Sequence, residues 1–257
     1  MLLGNDYIVF HVVADGTDAA LRLPHSRPDP LTFQARLVGA DLGFKCGAGP
    51  RLLGADRTTG VMMSEWVEGE SALSYKLMRN QLNRKVDLAY RLGAILNKVH
   101  SYAVPTDLLR PNLKELTYRL NVAPIFKQIA HVLVDTQMKE CPSHGDLVPH
   151  NVILRENCQV LLIDWDYAAL HDPCWDLAYV IQEFGLDEAE SSALFKGYGL
   201  LLPPRRILLF RVLIAAINAA WRLVRGLDVR EANHLVGIFS QHPIVLDALK
   251  SPNDLLG

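Results

Sequence analysis

Hydrophobic and polar positions along this chain follow two different spacings, and the change comes near Gly69. The first part favours strands, and the pair Asp15–Gly16 is typical of a tight hairpin turn. Residues 31–43 predict a helix with Gly43 as its stop signal. Four runs are predicted to be strands: residues 7–13, 19–23, 50–53 and 60–66. A turn is predicted over residues 55–59, between the last two strands.

Beyond Gly69 the spacing becomes helical. In residues 86–101 apolar side chains recur every third or fourth position, as on one face of a helix. Further segments predict helices over residues 113–137, 174–201 and 204–226, and a small hairpin over 152–154 and 159–163. We therefore predict an α+β chain with two lobes, a β-rich lobe over residues 1–68 and a helical lobe over residues 69–257.

Composition is that of a globular protein with a sizeable core. The chain has 257 residues, of which 50% are hydrophobic and 21% are charged. Disorder is therefore not expected. The net charge of −2 includes no basic excess, so a nucleic acid is not an expected partner.

The most apolar stretch, residues 207–224, is predicted to be a buried helix rather than a membrane span. It contains Arg211, Asn218 and Arg222, and each arginine near the centre of a span would cost roughly 2.5–3.5 kcal/mol. The N-terminus has no basic region before its apolar residues, and the four cysteines form no C-x-x-C pair. These features lead us to expect reduced thiols and a cytoplasmic protein.

Candidate chemistry lies in the segment SHGDLVPHN, residues 143–151. Asp146 stands five residues before Asn151 in a tight loop, and an apolar run further along ends at Asp164. Phosphoryl transfer needs a carboxylate that orients the attacking hydroxyl and accepts its proton, and oxygen ligands for Mg²⁺. We predict Asp146 as the base and Asn151 and Asp164 as the metal ligands, because the D-x-x-x-x-N spacing of a catalytic loop is met.

Three linked motifs resemble the aminoglycoside phosphotransferases and the bacterial choline kinases: HGD-x-x-x-x-N at 144–151, IDWD at 163–166 and DPCWDLA at 172–178. The resemblance implies a protein-kinase-like fold and the use of ATP with Mg²⁺. It implies that backbone groups near Ser64 and Trp66 bind adenine and that Arg22 contacts the phosphates. It also implies that Asp176 ties the catalytic loop together. Asp176 as an N-cap of a helix at residue 177 is the other interpretation.

Two departures from the family pattern leave a non-catalytic nucleotide-binding protein open as an alternative. The phosphate-covering loop is reduced to residues 2–5, with no strand before it, which predicts a truncated N-lobe. Gln34 stands where the family's helix carries a glutamate, so Arg22 is expected to lack a full salt-bridge partner. A protein kinase is not expected, because DWD replaces DFG and only eleven residues separate Asp164 from Asp176.

The expected acceptor is a small, cationic molecule with a hydroxyl group. Choline or ethanolamine is favoured, with thiamine and aminoglycosides as alternatives, although Asn218 replaces one of two tryptophans that are usual in the choline branch. Trp165 and Trp175 are expected in the core. Residues that are candidates for binding the cation, as aromatic faces or negative charges, are Asp166, Tyr167, Glu183 and Trp221.

Overall fold

The N-terminal part of the computed structural model is a five-stranded antiparallel sheet in the order β1-β2-β3-β5-β4. The structure describes residues 2–3, 7–77, 82–136, 138–200, 202–228, 230, 234, 236–238 and 242–250. The strands are β1 (Leu2–Leu3), β2 (Tyr7–Ala14), β3 (Thr17–Pro24), β4 (Leu52–Asp56) and β5 (Val61–Glu65). Strand β1 was not predicted, and Gly4 and Asn5 of the expected phosphate loop lie outside the described residues.

The hairpin of β2 and β3 confirms the prediction made from Asp15–Gly16. Both turn residues have positive φ, 51° and 73°, which matches the right-handed twist of the two strands. The strands then pair without interruption from Ala14 opposite Thr17 to Tyr7 opposite Pro24. Arg22 and Tyr7 are thereby brought to the end of the sheet that faces the rest of the chain.

Helix α1 (Pro30–Lys45) begins where the side chain of Asp29 accepts the backbone N–H groups of Leu31 and Thr32. The prediction that it stops at Gly43 was wrong, because the helix continues by two residues. Gly43 serves packing instead. A Cβ atom there would lie 2.4 Å from the Trp165 ring, so only glycine lets α1 approach that ring.

The helical part of the chain contains small two- and three-stranded antiparallel sheets, β7–β10 and β6–β8–β9. Its strands are β6 (Glu70–Ser71), β7 (Cys141–Ser143), β8 (Val152–Leu154), β9 (Val160–Leu162) and β10 (Ala169–His171). Its helices are α2 (Ala72–Leu77), α3 (Leu82–His100), α4 (Leu113–Arg119), α5 (Pro124–Asp135), α6 (Cys174–Phe184), α7 (Glu188–Tyr198), α8 (Pro204–Val224) and α9 (Pro243–Lys250). A small sheet lobe with a helical lobe is the α+β architecture that the sequence predicted.

Two predicted segments have different bounds in the structure. The helix predicted over residues 174–201 is two helices, because Gly185 ends α6 with φ of 63° and Asp187 begins α7 with a capping box. The strand predicted at residues 50–53 is shifted to Leu52–Asp56, so Ala55 lies in a strand and not in a turn.

Helix α8 packs against α5 and α6 in the core of the helical lobe. Its Arg206 is fully buried, and Arg206 Nε donates to Asp172 at 2.8 Å. Among the described helices, α8 alone has the length and apolar composition needed to cross a membrane, and 50% of its most apolar window is buried. A buried arginine paired with a carboxylate is the environment of a core helix.

Candidate active site

The catalytic loop follows β7 and turns back sharply at Gly145. Its φ of 87° is in the left-handed region, and a Cβ atom there would lie 2.2 Å from the carbonyl oxygen of Tyr167. Glycine is therefore required both by the backbone angle and by the close approach. The contact places the loop directly against the segment that follows Asp164.

Asp176 fixes this loop from within the core. Its side chain is fully buried, and it accepts the backbone N–H groups of His144 at 2.8 Å and Gly145 at 3.0 Å. His100 Nε2 lies 3.2 Å from the same carboxylate. Burial raises the pKa of Asp176, but the hydrogen bonds and charges of His100 and His144 lower it by more, so that it stays below its usual value. The loop-tying role is confirmed, whereas the N-cap interpretation was wrong because Pro173 occupies that position.

Asp146 and Asn151 face each other across the loop. Asn151 Nδ2 donates to the Asp146 carbonyl at 2.9 Å and lies 3.2 Å from Asp146 Oδ2. The amide nitrogen is thus turned towards Asp146, which leaves the amide oxygen to point elsewhere. Asn151 itself is buried.

His144 orders the loop by hydrogen bonds. Its Nδ1 accepts the backbone N–H of Asp146 at 3.3 Å, and its Nε2 lies 3.0 Å from the carbonyl of Ile163. These partners assign the ring proton to Nε2, because a carbonyl can only accept. His144 therefore connects the base to the residue before Asp164.

Asp146 is largely enclosed, and its environment alters its acidity. Burial raises the pKa of its carboxyl, and the charge of Asp164 raises it further. His144 and a hydrogen bond from the Tyr179 hydroxyl act in the opposite direction without cancelling the rise. A carboxylate with a raised pKa is a better proton acceptor than one in water.

Asp164 lies two residues after the end of β9, in a left-handed conformation with φ and ψ both 63°. The N–H of Ile163 donates to the carbonyl of Asn151 at 2.9 Å, so Asp164 is held beside Asn151. Its side chain is 44% exposed, and it faces the space next to Asp146 and Arg22. The structure therefore brings the three predicted residues of the catalytic loop and metal site together.

The donors present fit a magnesium ion. Asn151 offers an amide oxygen and Asp164 a carboxylate, and Mg²⁺ prefers oxygen ligands with only one or two carboxylates from protein. Among the described residues there is no group of three or more His, Cys, Asp or Glu side chains suited to a metal.

Arg22 reaches both acidic residues of the IDWD motif. It donates through Nη2 to Asp164 at 2.8 Å and through Nη1 to Asp166 at 2.9 Å. Its guanidinium carbon lies 4.2 Å from the centre of the Tyr7 ring. Burial lowers the pKa of Arg22, but the two carboxylates raise it by more, so it remains a cation.

The expectation that Gln34 leaves Arg22 without a full partner was wrong. Gln34 accepts instead from Arg57 at 2.5 Å. The residue of α1 that reaches this site is Arg36, whose Nε lies 3.1 Å from Asp166 and whose Nη1 donates to the Tyr7 hydroxyl. The carboxylate that holds Arg22 therefore comes from the segment after Asp164 and not from the helix.

Asp166 was predicted to bind a cationic acceptor, but in the structure it contacts Arg22 and Arg36. Its side chain is only 8% exposed, and its two oxygens are held by Arg22 and Arg36. A carboxylate already shared by two guanidinium groups has little charge to offer a cationic acceptor. The placement favours a role in positioning Arg22.

The two residues predicted to lie near adenine are in β5 and directly after it. Ser64 lies within β5, opposite Ala20 and Leu52. The backbone N–H of Trp66 donates to the carbonyl of Asp18 at 3.1 Å, and its ring stacks on His11 at 4.1 Å. Since that N–H is already used within the sheet, the structure gives no support to Trp66 as the backbone donor to adenine.

The aromatic and acidic residues considered for the acceptor differ in their exposure and in their contacts. Trp165 and Trp175 are buried, as predicted, and Tyr167 is half exposed next to the catalytic loop. Glu183 accepts from Asn218 Nδ2 at 3.2 Å, and Trp221 has the guanidinium of Arg225 4.3 Å from its ring centre. Glu183 and Trp221 are thus both engaged by polar or charged groups of the chain.

Comparison with known proteins shows which family carries these motifs. The model of the phosphotransferase enzyme family matches residues 3–209. The chain belongs to this phosphotransferase family. It is 21% identical to the protein LicA homolog of Metamycoplasma hominis over 62% of this chain, and 24% identical to protein LicA of Haemophilus influenzae over 56%. These matches span 65% and 45% of the two relatives' own lengths.

Solved structures of several similar proteins share the fold. A choline/ethanolamine kinase family protein from Mesorhizobium loti superimposes with a TM-score of 0.77 at 19% identity, over 98% of this chain and 90% of that one. Choline kinase LicA from Streptococcus pneumoniae gives 0.72 at 19% identity, over 98% and 92%. LicA in complex with AMP gives 0.66 at 17% identity, over 97% and 94%. The protein-kinase-like fold implied by the three motifs is confirmed.

Three residues of this phosphotransferase site were not singled out from the sequence. Tyr7 and Arg36 join Arg22 and Asp166 from two separate elements, and Tyr179 contacts Asp146 from α6. Only Tyr179 carried a usable signal, since it lies three residues after Asp176 and therefore on the same face of a helix.

Proposed function

We propose that this chain is a kinase that transfers the γ-phosphate of ATP to a hydroxyl group of a small cationic molecule, with choline or ethanolamine as the acceptor. The observation that carries the proposal is the joint placement of Asp146, Asn151 and Asp164, with Asp176 fixing the loop. Family membership and the LicA relatives support the same reaction class.

Asp146 orients the acceptor hydroxyl and accepts its proton as the oxygen bonds to the γ-phosphorus. The bond from that phosphorus to the bridging oxygen breaks, and ADP leaves. Asn151 and Asp164 would hold Mg²⁺, which neutralises charge on the phosphates when bound. Arg22, a cation between the sheet and Asp164, supplies positive charge to the same phosphates.

Nucleotide use is supported by LicA in complex with AMP, a structure of the same fold. Because the choline kinase and the choline/ethanolamine kinase family protein are among the structural neighbours, amino alcohols are the first acceptors to test. ATP as donor suits a cytoplasmic location, which we propose with it.

The test is phosphoryl transfer from ATP with Mg²⁺ to choline, ethanolamine, thiamine and kanamycin. We expect product with choline or ethanolamine. Product with thiamine or kanamycin alone would reassign the acceptor. Nucleotide binding without transfer to any acceptor would contradict the kinase and favour a non-catalytic nucleotide-binding protein.

A further inference from the structure

A chain of polar side chains leads from the catalytic base to Glu183. The Tyr179 hydroxyl donates to Asn218 Oδ1 at 3.3 Å, and it is close enough to Asp146 to lower the pKa of that carboxyl. Asn218 Nδ2 in turn donates to Glu183 Oε1 at 3.2 Å. Tyr179 is buried, whereas Asn218 and Glu183 are partly exposed. A hydroxyl, an amide oxygen and a carboxylate therefore lie together, one side chain away from the base.

The aromatic surface nearby has a different occupant. Trp221 follows Asn218 by one helical turn, and the guanidinium of Arg225 lies 4.3 Å from the centre of its ring. An aromatic face binds a quaternary ammonium through its negative π-surface. A cation of the chain therefore already lies over one face of this ring.

We infer that the acceptor binds through a protonated amine that carries at least one N–H, held by Glu183, Asn218 and Tyr179, and that Asn218 selects such amines over a quaternary ammonium. This inference rests on the proposed function. A primary ammonium can donate to the carboxylate, the amide oxygen and the hydroxyl oxygen at once, and a tertiary ammonium can still donate to the carboxylate. A quaternary ammonium has no N–H, so it would cover these acceptors without satisfying them.

The cost of that mismatch sets the expected selectivity. Losing a hydrogen bond to a charged group changes affinity by about 10- to 100-fold. We therefore expect kcat/KM to fall along the series ethanolamine, N-methylethanolamine, N,N-dimethylethanolamine and choline. The largest single step, of about 10- to 100-fold, is expected at the last methyl group, which removes the final N–H.

The series is measured on the unmodified protein, so the first test does not depend on any variant folding. Asn218→Leu keeps a similar volume but has no polar atoms. We expect it to lower the ratio of kcat/KM for ethanolamine to that for choline by about 10-fold or more. Asn157→Leu, a change at an exposed asparagine in the turn between β8 and β9, is the matched control and should leave the ratio unchanged.

The possible outcomes distinguish a failure of the amine selectivity from a failure of the kinase function. Choline used as well as ethanolamine, or better, would overturn the inference while leaving the kinase function in place. An unchanged ratio in a folded Asn218→Leu protein, checked by thermal unfolding, would remove Asn218 from selection. Absence of transfer to every member of the series and to thiamine and kanamycin would overturn the proposed function itself.

Discussion

Asp146 is the residue whose removal separates a kinase from a nucleotide-binding protein. Asp146→Asn keeps the size of the side chain but removes the charge that orients the hydroxyl and the site that takes its proton. We expect kcat to fall by about 10²–10⁴-fold with ATP binding nearly unchanged. The measurement is steady-state transfer at saturating Mg²⁺ together with calorimetric ATP binding. Equal turnover by the variant and the parent would exclude Asp146 as the base.

Asp166 offers a second test at the scale of a single side chain. It holds Arg22 at 2.9 Å and Arg36 at 3.1 Å in a nearly closed setting. In Asp166→Asn two partly buried guanidinium groups lose their shared counterion, and Arg22 is no longer fixed beside the phosphates. We expect kcat/KM for ATP to fall by about 10- to 100-fold, mainly through KM.

Asp41→Asn is the matched control, because Asp41 forms an exposed ion pair with Lys45 on the same α1 helix. It should have no effect on KM for ATP. A fall in kcat/KM for the amino alcohol with KM for ATP unchanged would instead return Asp166 to the acceptor side, as first predicted.

Sequence reasoning reached some residues of the site and not others for a simple geometric reason. Asp146 and Asn151 lie in one short loop, so their spacing is visible in the chain. Arg22 meets Asp164 across 142 positions, and nothing in the local pattern indicates that meeting. The position of Arg36 in the site is even harder to predict, because an arginine on a helix at the protein surface usually faces water.

At the scale of elements, the catalytic loop depends on how closely β7 and the segment after Asp164 can approach. Gly145→Ala would place a methyl group 2.2 Å from the Tyr167 carbonyl oxygen and strain a φ of 87°. We expect the loop to shift, kcat to fall by at least about 10-fold, and the protein to lose about 1–3 kcal/mol of stability.

Gly199→Ala is the comparison for that variant, since Gly199 also has a positive φ, 78°, but a Cβ atom there meets nothing within 4 Å. It should lose stability by backbone strain alone and retain kcat. Activity falling equally in both variants would show that the contact with Tyr167 is not what positions the loop.

Element boundaries were predictable where the signal is local. The β2–β3 hairpin is determined by its own turn residues, Asp15 and Gly16. Helix α1 begins after an N-cap aspartate, Asp29, with Pro30 as its first residue. The end of α1 was not predictable, because Gly43 is set by the Trp165 ring and not by helix termination. The split between α6 and α7 is local in origin, but Gly185 lies inside an otherwise continuous apolar pattern.

At the scale of the whole molecule, the helical lobe buries an unusual set of polar groups behind the site. Asp172, Asp176, Arg206 and His171 are all buried, and Asp176 and Arg206 are fully enclosed. Each charged member has partners: Asp176 binds the catalytic loop, and Arg206 binds Asp172 and the carbonyl of Leu133. The same buried groups thus support the catalytic loop and make the free energy of unfolding depend on pH.

His171 gives that dependence its sign. Burial lowers its pKa to about 4, although the charges of Asp176 and Asp172 oppose the shift and His100 adds to it. The ring lies parallel to Trp175 at 4.6 Å, which leaves it enclosed and neutral at pH 7. Because the unfolded chain protonates this residue near its ordinary pKa of about 6.5, the neutral form stabilises the fold fully only above that pH.

We therefore expect the free energy of unfolding to decrease as the pH falls from about 6.5 towards 4, by at most about 1.4 kcal/mol per pH unit from this residue. His171→Phe keeps a ring against Trp175 and cannot titrate, so its loss of stability over that window should be shallower. Urea unfolding at several pH values measures both slopes. His234→Gln is the control, because His234 is exposed and the slope of this variant should match that of the parent. If the parent and His171→Phe have the same slope, the acid sensitivity of the fold arises elsewhere in the buried polar set.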